Sequence, residues 1–127
     1  DPFISNRVEH AVYENHRVES AVINLQKGEI LRFGELMTQS HDSCRDLFEI
    51  SCHELNVLVD SFLDNGAIGA RMTGAGFGGC AIALVPTEKV DNIVSIVQET
   101  YRRIIGYNAD FYPVKTSNGT SKIEVKK

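Results

Sequence analysis

The sequence has little cysteine and no long apolar run, and each shortage excludes a class of protein. Its 127 residues contain three cysteines with no C-x-x-C spacing, at Cys44, Cys52 and Cys80. Such a set suits neither a disulfide framework nor a zinc site, and it is typical of a reducing compartment such as the cytoplasm. No apolar run approaches the roughly 18 residues that cross a bilayer. We therefore expect a cytoplasmic protein with no membrane partner.

An excess of basic residues is also absent. The chain has 13 Lys and Arg against 17 Asp and Glu, a formal net charge of −4, and no Lys/Arg block. Because duplex binding depends on a concentrated basic face, we expect no nucleic-acid partner. The composition, 43% hydrophobic and 24% charged, is typical of one domain with one core, which we assign to residues 1–127. The chain begins without an initiator methionine, so we expect it to belong to something longer.

The ionisable side chains form no recognisable catalytic or metal-binding set. No two histidines lie four residues apart, the spacing that places two metal ligands on one helix face. We interpret all of them as surface or core residues of helices: His10, His16, His41 and His53. No nucleophile, base and orienting group occur together. We therefore predict no catalytic residue and no metal ligand in this chain.

The first half of the chain has helical periodicity. Apolar residues recur at three- and four-residue spacing over residues 7–26, which predicts an amphipathic helix that ends at Gly28. A second helix is predicted over residues 29–47, so the two form an antiparallel hairpin. Ser51 followed by Glu54 matches the capping box at the start of a third helix.

The second half changes period. Residues 67–72 alternate and residues 80–85 are almost continuously apolar, and both patterns predict strands. A fourth helix is predicted over residues 87–106, with Thr87 as its cap, followed by a strand over residues 109–115 and a weakly paired segment at 122–125. Three helices, a strand, a loop, a strand, a helix and a strand predict an α+β fold with an antiparallel or mixed sheet.

The loop between the first two strands is rich in glycine. Gly74, Gly76 and Gly79 match G-x-G-x-x-G, but that fingerprint must open a helix, and residues 80–85 predict a strand. A Walker A loop needs Lys and Ser or Thr after its last glycine, where this chain has Cys80 and Ala81. The lysine that follows a protein-kinase glycine loop is missing as well. These three nucleotide-binding loops are therefore excluded.

Two interpretations of the loop stay open. One is a tight hairpin whose glycines only relieve steric conflict. The other is a backbone cradle, an exposed loop whose N–H groups face a ligand or another domain. The cradle is favoured because a tight turn needs few residues at positive φ. Thr73 and Arg71, just before the loop, offer a hydroxyl and a guanidinium suited to phosphate, although Arg71 equally suits a surface or interdomain ion pair.

At this point a family resemblance becomes visible. The segment RMTGAGFGGC, residues 71–80, resembles the third signature motif of the GHMP kinases, a superfamily of small-molecule kinases. Phe77, Cys80 and the RMT lead-in are similar to the galactokinase family within it. Residues 32–37, 40–41 and 51–59 resemble the C-terminal helices of that family in order and spacing. Ala75 and Asn56 are mild departures, at places where glycine and aspartate are frequent in the family.

The resemblance implies a fold and a role. The fold would be the ferredoxin-like GHMP C-terminal domain, an antiparallel sheet packed against helices with an N-terminal helical hairpin. The activity would be phosphoryl transfer from ATP, with Mg2+, to galactose, and the catalytic residues would lie upstream in an N-terminal domain that is this chain's partner. This chain would contribute a loop to the active-site cleft: Arg71, Thr73, Gly74, Ala75, Gly76, Phe77, Gly78, Gly79 and Cys80.

Two further expectations accompany this resemblance. A domain of a larger enzyme exposes its former interface, which we expect at the first helix and at the strand side of residues 67–85. The residues by themselves also fit a free-standing α+β module that binds a metabolite or assembles oligomers. Another GHMP kinase is the remaining alternative.

Overall fold

The fold is that of a computed structural model, which describes residues 1–121. Its elements, in chain order, are helices α1 (Pro2–Lys27), α2 (Ile30–Asp46) and α3 (His53–Asp64), strands β1 (Gly69–Thr73) and β2 (Cys80–Leu84), a short 3-10 turn (Thr87–Lys89) and helix α4 (Val90–Ile105). The predicted α+β class and the N-terminal helical hairpin are confirmed. The weak pairing predicted at 122–125 lies outside the described residues.

Strands β1 and β2 form an antiparallel pair, with Gly69 opposite Leu84 and Thr73 opposite Cys80. Within residues 1–121 they are the whole sheet. Met72 points to the helices and is 1% exposed, where it packs with Cys44 and Leu55 in the core. The strands therefore lie with one face on the helices, and the loop that joins them emerges from the end of the sheet.

The strand predicted over residues 109–115 is wrong, since the structure has no strand there. Pro113 has no N–H to donate to a ladder, and the side chains of Tyr112 and Val114 are 79% and 86% exposed. The segment is held instead by a side-chain contact, in which Phe111 meets Phe62 edge-on with 6.1 Å between ring centroids. The apolar residues alternate there, but among residues 1–121 no strand lies beside the segment to pair with it.

Helix α1 ends at Gly28 as predicted, but both predicted N-terminal helix caps are wrong. Helix α3 begins after Cys52, with no side-chain cap bond, because the Ser51 hydroxyl donates instead to Oδ1 of Asn56 at 2.7 Å. Thr87 begins the 3-10 turn and also makes no side-chain cap bond, and α4 begins three residues later at Val90. Short 3-10 turns are frequent at helix ends.

Helix α1 packs against α2 through polar side chains. His10, Glu14 and Arg17 face inward at helical spacing, and the first two bond to Ser43 and Ser40 of α2. Much of the rest of α1, here called its outer face, is apolar and about half exposed: Ile4, Val8, Val12, Val22 and Leu25. The predicted amphipathic stripe therefore exists, but within residues 1–121 most of it points away from the core, and only Val18 and Ala21 line the groove that α1 forms with α2 and β2.

Helix α2 touches β1 through backbone alone at one point. A Cβ added to Gly34 would lie 2.1 Å from the carbonyl oxygen of Ile68, and one added to Gly69 would lie 2.3 Å from the carbonyl oxygen of Gly34. No side chain fits between the two elements here, so glycine is required on both sides. This close approach brings the rest of α2 within reach of β1.

Replacing Gly34 with alanine tests this contact. Alanine favours a helix interior by about 1 kcal/mol over glycine, yet we expect Gly34→Ala to lower the free energy of unfolding by about 2 kcal/mol or more, because the new methyl meets backbone atoms. Urea unfolding measures the change. The control is Gly119→Ala, whose Cβ would meet open space. Equal stability of Gly34→Ala and the parent would contradict the direct contact.

Candidate functional site

The glycine-rich loop, residues 74–79, runs mostly through the left-handed region of backbone space. The φ angles are +87° at Gly74, +85° at Gly76, +135° at Gly78 and +92° at Gly79, and Phe77 also has a positive φ, +58°. Phenylalanine pays a steric cost of about 1 kcal/mol there, and its ring is 75% exposed. The run of positive φ is far longer than a tight hairpin needs.

One contact fixes this loop to the rest of the domain. The N–H of Phe77 donates to the carbonyl oxygen of Ile50 at 2.7 Å, and a Cβ on Gly76 would lie 2.2 Å from the same oxygen. The Ile50 side chain packs against the core cluster of Cys44, Leu55 and Met72. At Gly76 the glycine is therefore a steric requirement, as the hairpin interpretation proposed. The other three glycines of the loop have open space where a Cβ would be.

The loop surrounds an open groove of about 510 Å3. Its lining contains every predicted site residue except Arg71: Thr73, Gly74, Ala75, Gly76, Phe77, Gly78, Gly79 and Cys80. The polar groups available in it are backbone N–H and C=O groups, the Thr73 hydroxyl and the Cys80 thiol. Successive N–H groups in such turns make a concave site for anions. The groove therefore offers hydrogen-bond donors of the kind that suit an anion, and its lining contains no carboxylate and no imidazole.

Arg71 lies in a different groove, of about 440 Å3, between α1, α2 and β2. Its Nη1 is 3.7 Å from Oε1 of Glu14, and its Nε donates to the carbonyl oxygen of Met72 at 2.9 Å. The structure thus gives Arg71 an ion pair, and the partner is helix α1 of the same chain. It does not bring Arg71 together with the loop residues.

Glu14 is the centre of a polar cluster that sequence reasoning missed. Its carboxylate accepts from the Ser40 hydroxyl at 2.5 Å and from Arg17 at 2.9 Å. Burial opposes ionisation of Glu14, but the bonds from Ser40 and Arg17 outweigh it, and its pKa lies below the ordinary value. The signal was available, because His10, Glu14 and Arg17 repeat at helical spacing and therefore share one face of α1.

The histidines divide as predicted into core and surface residues. The His10 ring bonds to Ser43 through Nδ1 at 2.8 Å and stacks on Phe48. His41 is fully buried, and its Nδ1 accepts from the N–H of Met72 at 3.2 Å. His16, in contrast, has a side chain 70% exposed. Over residues 1–121, no cluster of His, Cys, Asp and Glu is arranged to hold a metal ion.

The bond from Met72 determines the protonation state of His41. A ring nitrogen that accepts a hydrogen bond carries no proton, so His41 is neutral with its proton on Nε2. That Nε2 has no hydrogen-bond partner among the described residues. Burial lowers the pKa of His41 and the charge of Arg45 lowers it further, whereas Asp42, the nearby Asn56 side chain and Asp60 oppose these effects. His41 thus satisfies an N–H of β1 only while it is uncharged.

Against known proteins, the chain matches the family model described as GHMP kinases C terminal over residues 21–103. This match covers more than half of the chain, and it agrees with the resemblance seen in the glycine-rich loop and the helices. The chain belongs to the GHMP kinase family, as its C-terminal domain.

Galactokinases are among its curated relatives. The chain is 47% identical over 124 residues to the galactokinase of Clostridium tetani, a match that covers 97% of this chain and 32% of the relative. It is 42% identical over 127 residues to the Lactococcus lactis galactokinase, covering 99% of this chain and 32% of that protein. The chain thus spans about one third of the length of the curated relatives it matches.

Solved structures of two enzymes have the same fold. Lactococcus lactis galactokinase, crystallised with galactose, superposes with a TM-score of 0.86 at 42% identity, over 88% of this chain and 29% of that one. L. major mevalonate kinase, crystallised with R-mevalonate, gives a TM-score of 0.63 at 40% identity, over 66% of this chain and 26% of that one. Among residues 1–121 no helix is both long and apolar enough to cross a membrane.

The contact between Gly76 and Ile50 predicts unequal effects of alanine in the loop. Gly76→Ala and Gly79→Ala share the cost of a side chain at positive φ, about 1 kcal/mol, but only the first brings a Cβ against the Ile50 carbonyl. We expect Gly76→Ala to lower the free energy of unfolding by about 1–3 kcal/mol more than Gly79→Ala does. Urea unfolding of both variants measures the difference. Equal losses would show that the collision is not real.

Protonation of His41 predicts a pH-dependent stability. The folded-state pKa is lowered, so its contribution is complete above the unfolded pKa of about 6.5 and is lost as the pH falls below that value. We expect the free energy of unfolding to decrease from about pH 7.5 to 5.5. His41→Asn keeps an acceptor that does not titrate, so the free energy of unfolding of this variant should decrease less over the same range. The decrease that remains comes from His10, because burial lowers its pKa as well.

The control for this comparison is His16→Asn, because that side chain is exposed. It should follow the pH dependence of the parent. The account of His41 is wrong if His41→Asn declines as steeply as the parent over the same range.

Proposed function

We propose that this chain is the C-terminal part of a galactokinase, which transfers the γ-phosphoryl group of ATP to galactose to give galactose 1-phosphate. The observation that carries the proposal is 42–47% identity to galactokinases over nearly the whole chain, with the glycine-rich loop inside the matched region. Three free cysteines, Cys44, Cys52 and Cys80, are consistent with work in the cytoplasm.

In this proposal the glycine-rich loop forms one wall of the active-site cleft. Phosphoryl transfer depends on positioning and on stabilisation of negative charge, and the groove over residues 73–80 offers backbone N–H groups and the Thr73 hydroxyl for that purpose. Phosphate oxygens fit such a lining. Mg2+ prefers carboxylate and water oxygens, and the lining contains no carboxylate. Nucleotide and metal would therefore be held chiefly by the N-terminal domain, with Mg2+ neutralising phosphate charge.

That N-terminal domain is the proposed partner of this chain. The outer face of α1 exposes about half of each of several large apolar side chains, such as Val8 at 57% and Val12 at 50%. Contiguous apolar surface of this kind marks an interaction site. Since the curated relatives are about three times as long as this chain, their remaining part is the occupant that the proposal assigns to this face.

A graft tests the proposed activity. The chain replaces the matching C-terminal third of Lactococcus lactis galactokinase, and ATP-dependent phosphorylation of galactose is measured. We expect activity well above that of two controls, the truncated N-terminal part and the isolated 127-residue chain, because neither contains both walls of the cleft. A folded graft without activity on galactose would contradict the proposal. Self-association of the isolated chain with metabolite binding would instead favour the free-standing module.

Two variants of the graft test the phosphate groove. Asp and Asn both tolerate positive φ, so Gly79→Asp and Gly79→Asn share their backbone strain and differ in charge. If phosphate occupies the groove, the carboxylate of Gly79→Asp repels it. We expect kcat/KM for ATP to be about ten-fold lower in Gly79→Asp than in Gly79→Asn, equivalent to about 1.4 kcal/mol. Equal kcat/KM values with matched thermal midpoints would place the phosphate elsewhere.

A further inference from the structure

The glycine-rich loop depends on a segment far from it in sequence, the connector between α2 and α3 (residues 47–52). Its Ile50 carbonyl accepts from Phe77 at 2.7 Å. The connector folds back on the end of α2, since the N–H of Ile50 donates to the carbonyl oxygen of Cys44 at 3.0 Å. This path requires a positive φ of +57° at Glu49. A non-glycine residue adopts that conformation only when its surroundings hold it there.

Arg7 of α1 makes several of the contacts that keep the connector in this conformation. Its guanidinium donates to the carbonyl oxygen of Leu47 and to the carboxylate of Glu49 at 2.7 Å. It also lies 5.3 Å from the ring centroid of Phe48 and 4.3 Å from that of Phe3. One side chain thus contacts three consecutive residues of the connector.

Arg7 is built into the domain rather than free on its surface. Its side chain is 23% exposed, compared with 63% for that of Glu49. One turn further along α1, the ring of His10 stacks on the ring of Phe48 in the connector, with 4.7 Å between the two centroids. Helix α1 therefore contacts the connector through two side chains one turn apart, Arg7 and His10. The connector in turn holds the loop through Ile50.

We propose that Arg7 is a positioning residue for the glycine-rich loop, because it holds the connector in the conformation in which the Ile50 carbonyl accepts the Phe77 N–H. Arg7 touches neither the loop nor its groove, so its influence passes through Leu47, Glu49 and Ile50. The positioning stands on contacts within this chain. Only its consequence for catalysis rests on the proposed function.

Amide hydrogen exchange of the 127-residue chain tests the positioning directly. Arg7→Met keeps a long apolar side chain and removes every donor. We expect the Phe77 amide to exchange about ten times faster in this variant, whereas the amide of Val97, buried in α4, should change much less. Arg7→Lys, which keeps a charge and a donor, should restore part of the protection. The control is Arg32→Met, because its ion pair with Glu35 lies on the surface.

Two results would overturn the proposal. One is an unchanged Phe77 amide, and the other is equal acceleration at Phe77 and Val97, which indicates a loss of global stability alone. If Arg7→Met does not fold, Glu49→Gln carries the test, since it weakens the same contact at an exposed carboxylate. Its Phe77 amide should then exchange about three times faster, and an unchanged rate would again overturn the proposal.

The catalytic consequence is measured separately in the graft. Arg7→Met should lower kcat by about five-fold and leave KM for galactose unchanged, because the loop is displaced without loss of sugar contacts. A graft that is inactive in its parent form counts against the proposed function, while the exchange result still decides the positioning. An active graft whose kcat is indifferent to Arg7→Met would show that the loop position does not limit catalysis, against this inference.

Discussion

The backbone contact between α2 and β1 is the constraint on which the rest of the domain depends. Gly34 and Gly69 let helix and strand touch with no side chain between them. The same helix is then close enough for buried His41 to accept the N–H of Met72 at 3.2 Å. Together these contacts fix β1 along its length. Since the glycine-rich loop begins where β1 ends, the helix hairpin determines where the loop emerges.

Polar contacts attach α1 to the rest of the domain, whereas apolar packing joins α2 and α3 to the strands. Its inward side chains reach α2 and β1 through Glu14, and the connector through Arg7. Partly buried carboxylates and guanidinium groups are stable only when they are paired, so these contacts prescribe one orientation of α1. That orientation turns the apolar residues outward.

Local rules were sufficient for much of the fold. Periodicity predicted the helices and both strands, and the excess of glycine predicted a loop at positive φ, because these properties depend on neighbouring residues. They did not predict the anchor at Ile50 or the partner of Arg71, since each joins residues distant in sequence. The strand expected at 109–115 failed for the same reason, because a pattern of alternation does not reveal whether another strand is available to pair. Of the predicted site, residues 73–80 lie together and Arg71 lies apart.

In the proposed function, the glycine-rich loop, held at Ile50, presents its backbone N–H groups to phosphate. The most direct measurement is an NMR titration of the graft, labelled with 15N-glycine, with a non-hydrolysable ATP analogue and Mg2+. The account predicts shifts of the Gly74, Gly78 and Gly79 amides, while those of Gly34, in the helix, and Gly119, outside the groove, stay in place. Saturation of the nucleotide site with no shift at any loop glycine would contradict it.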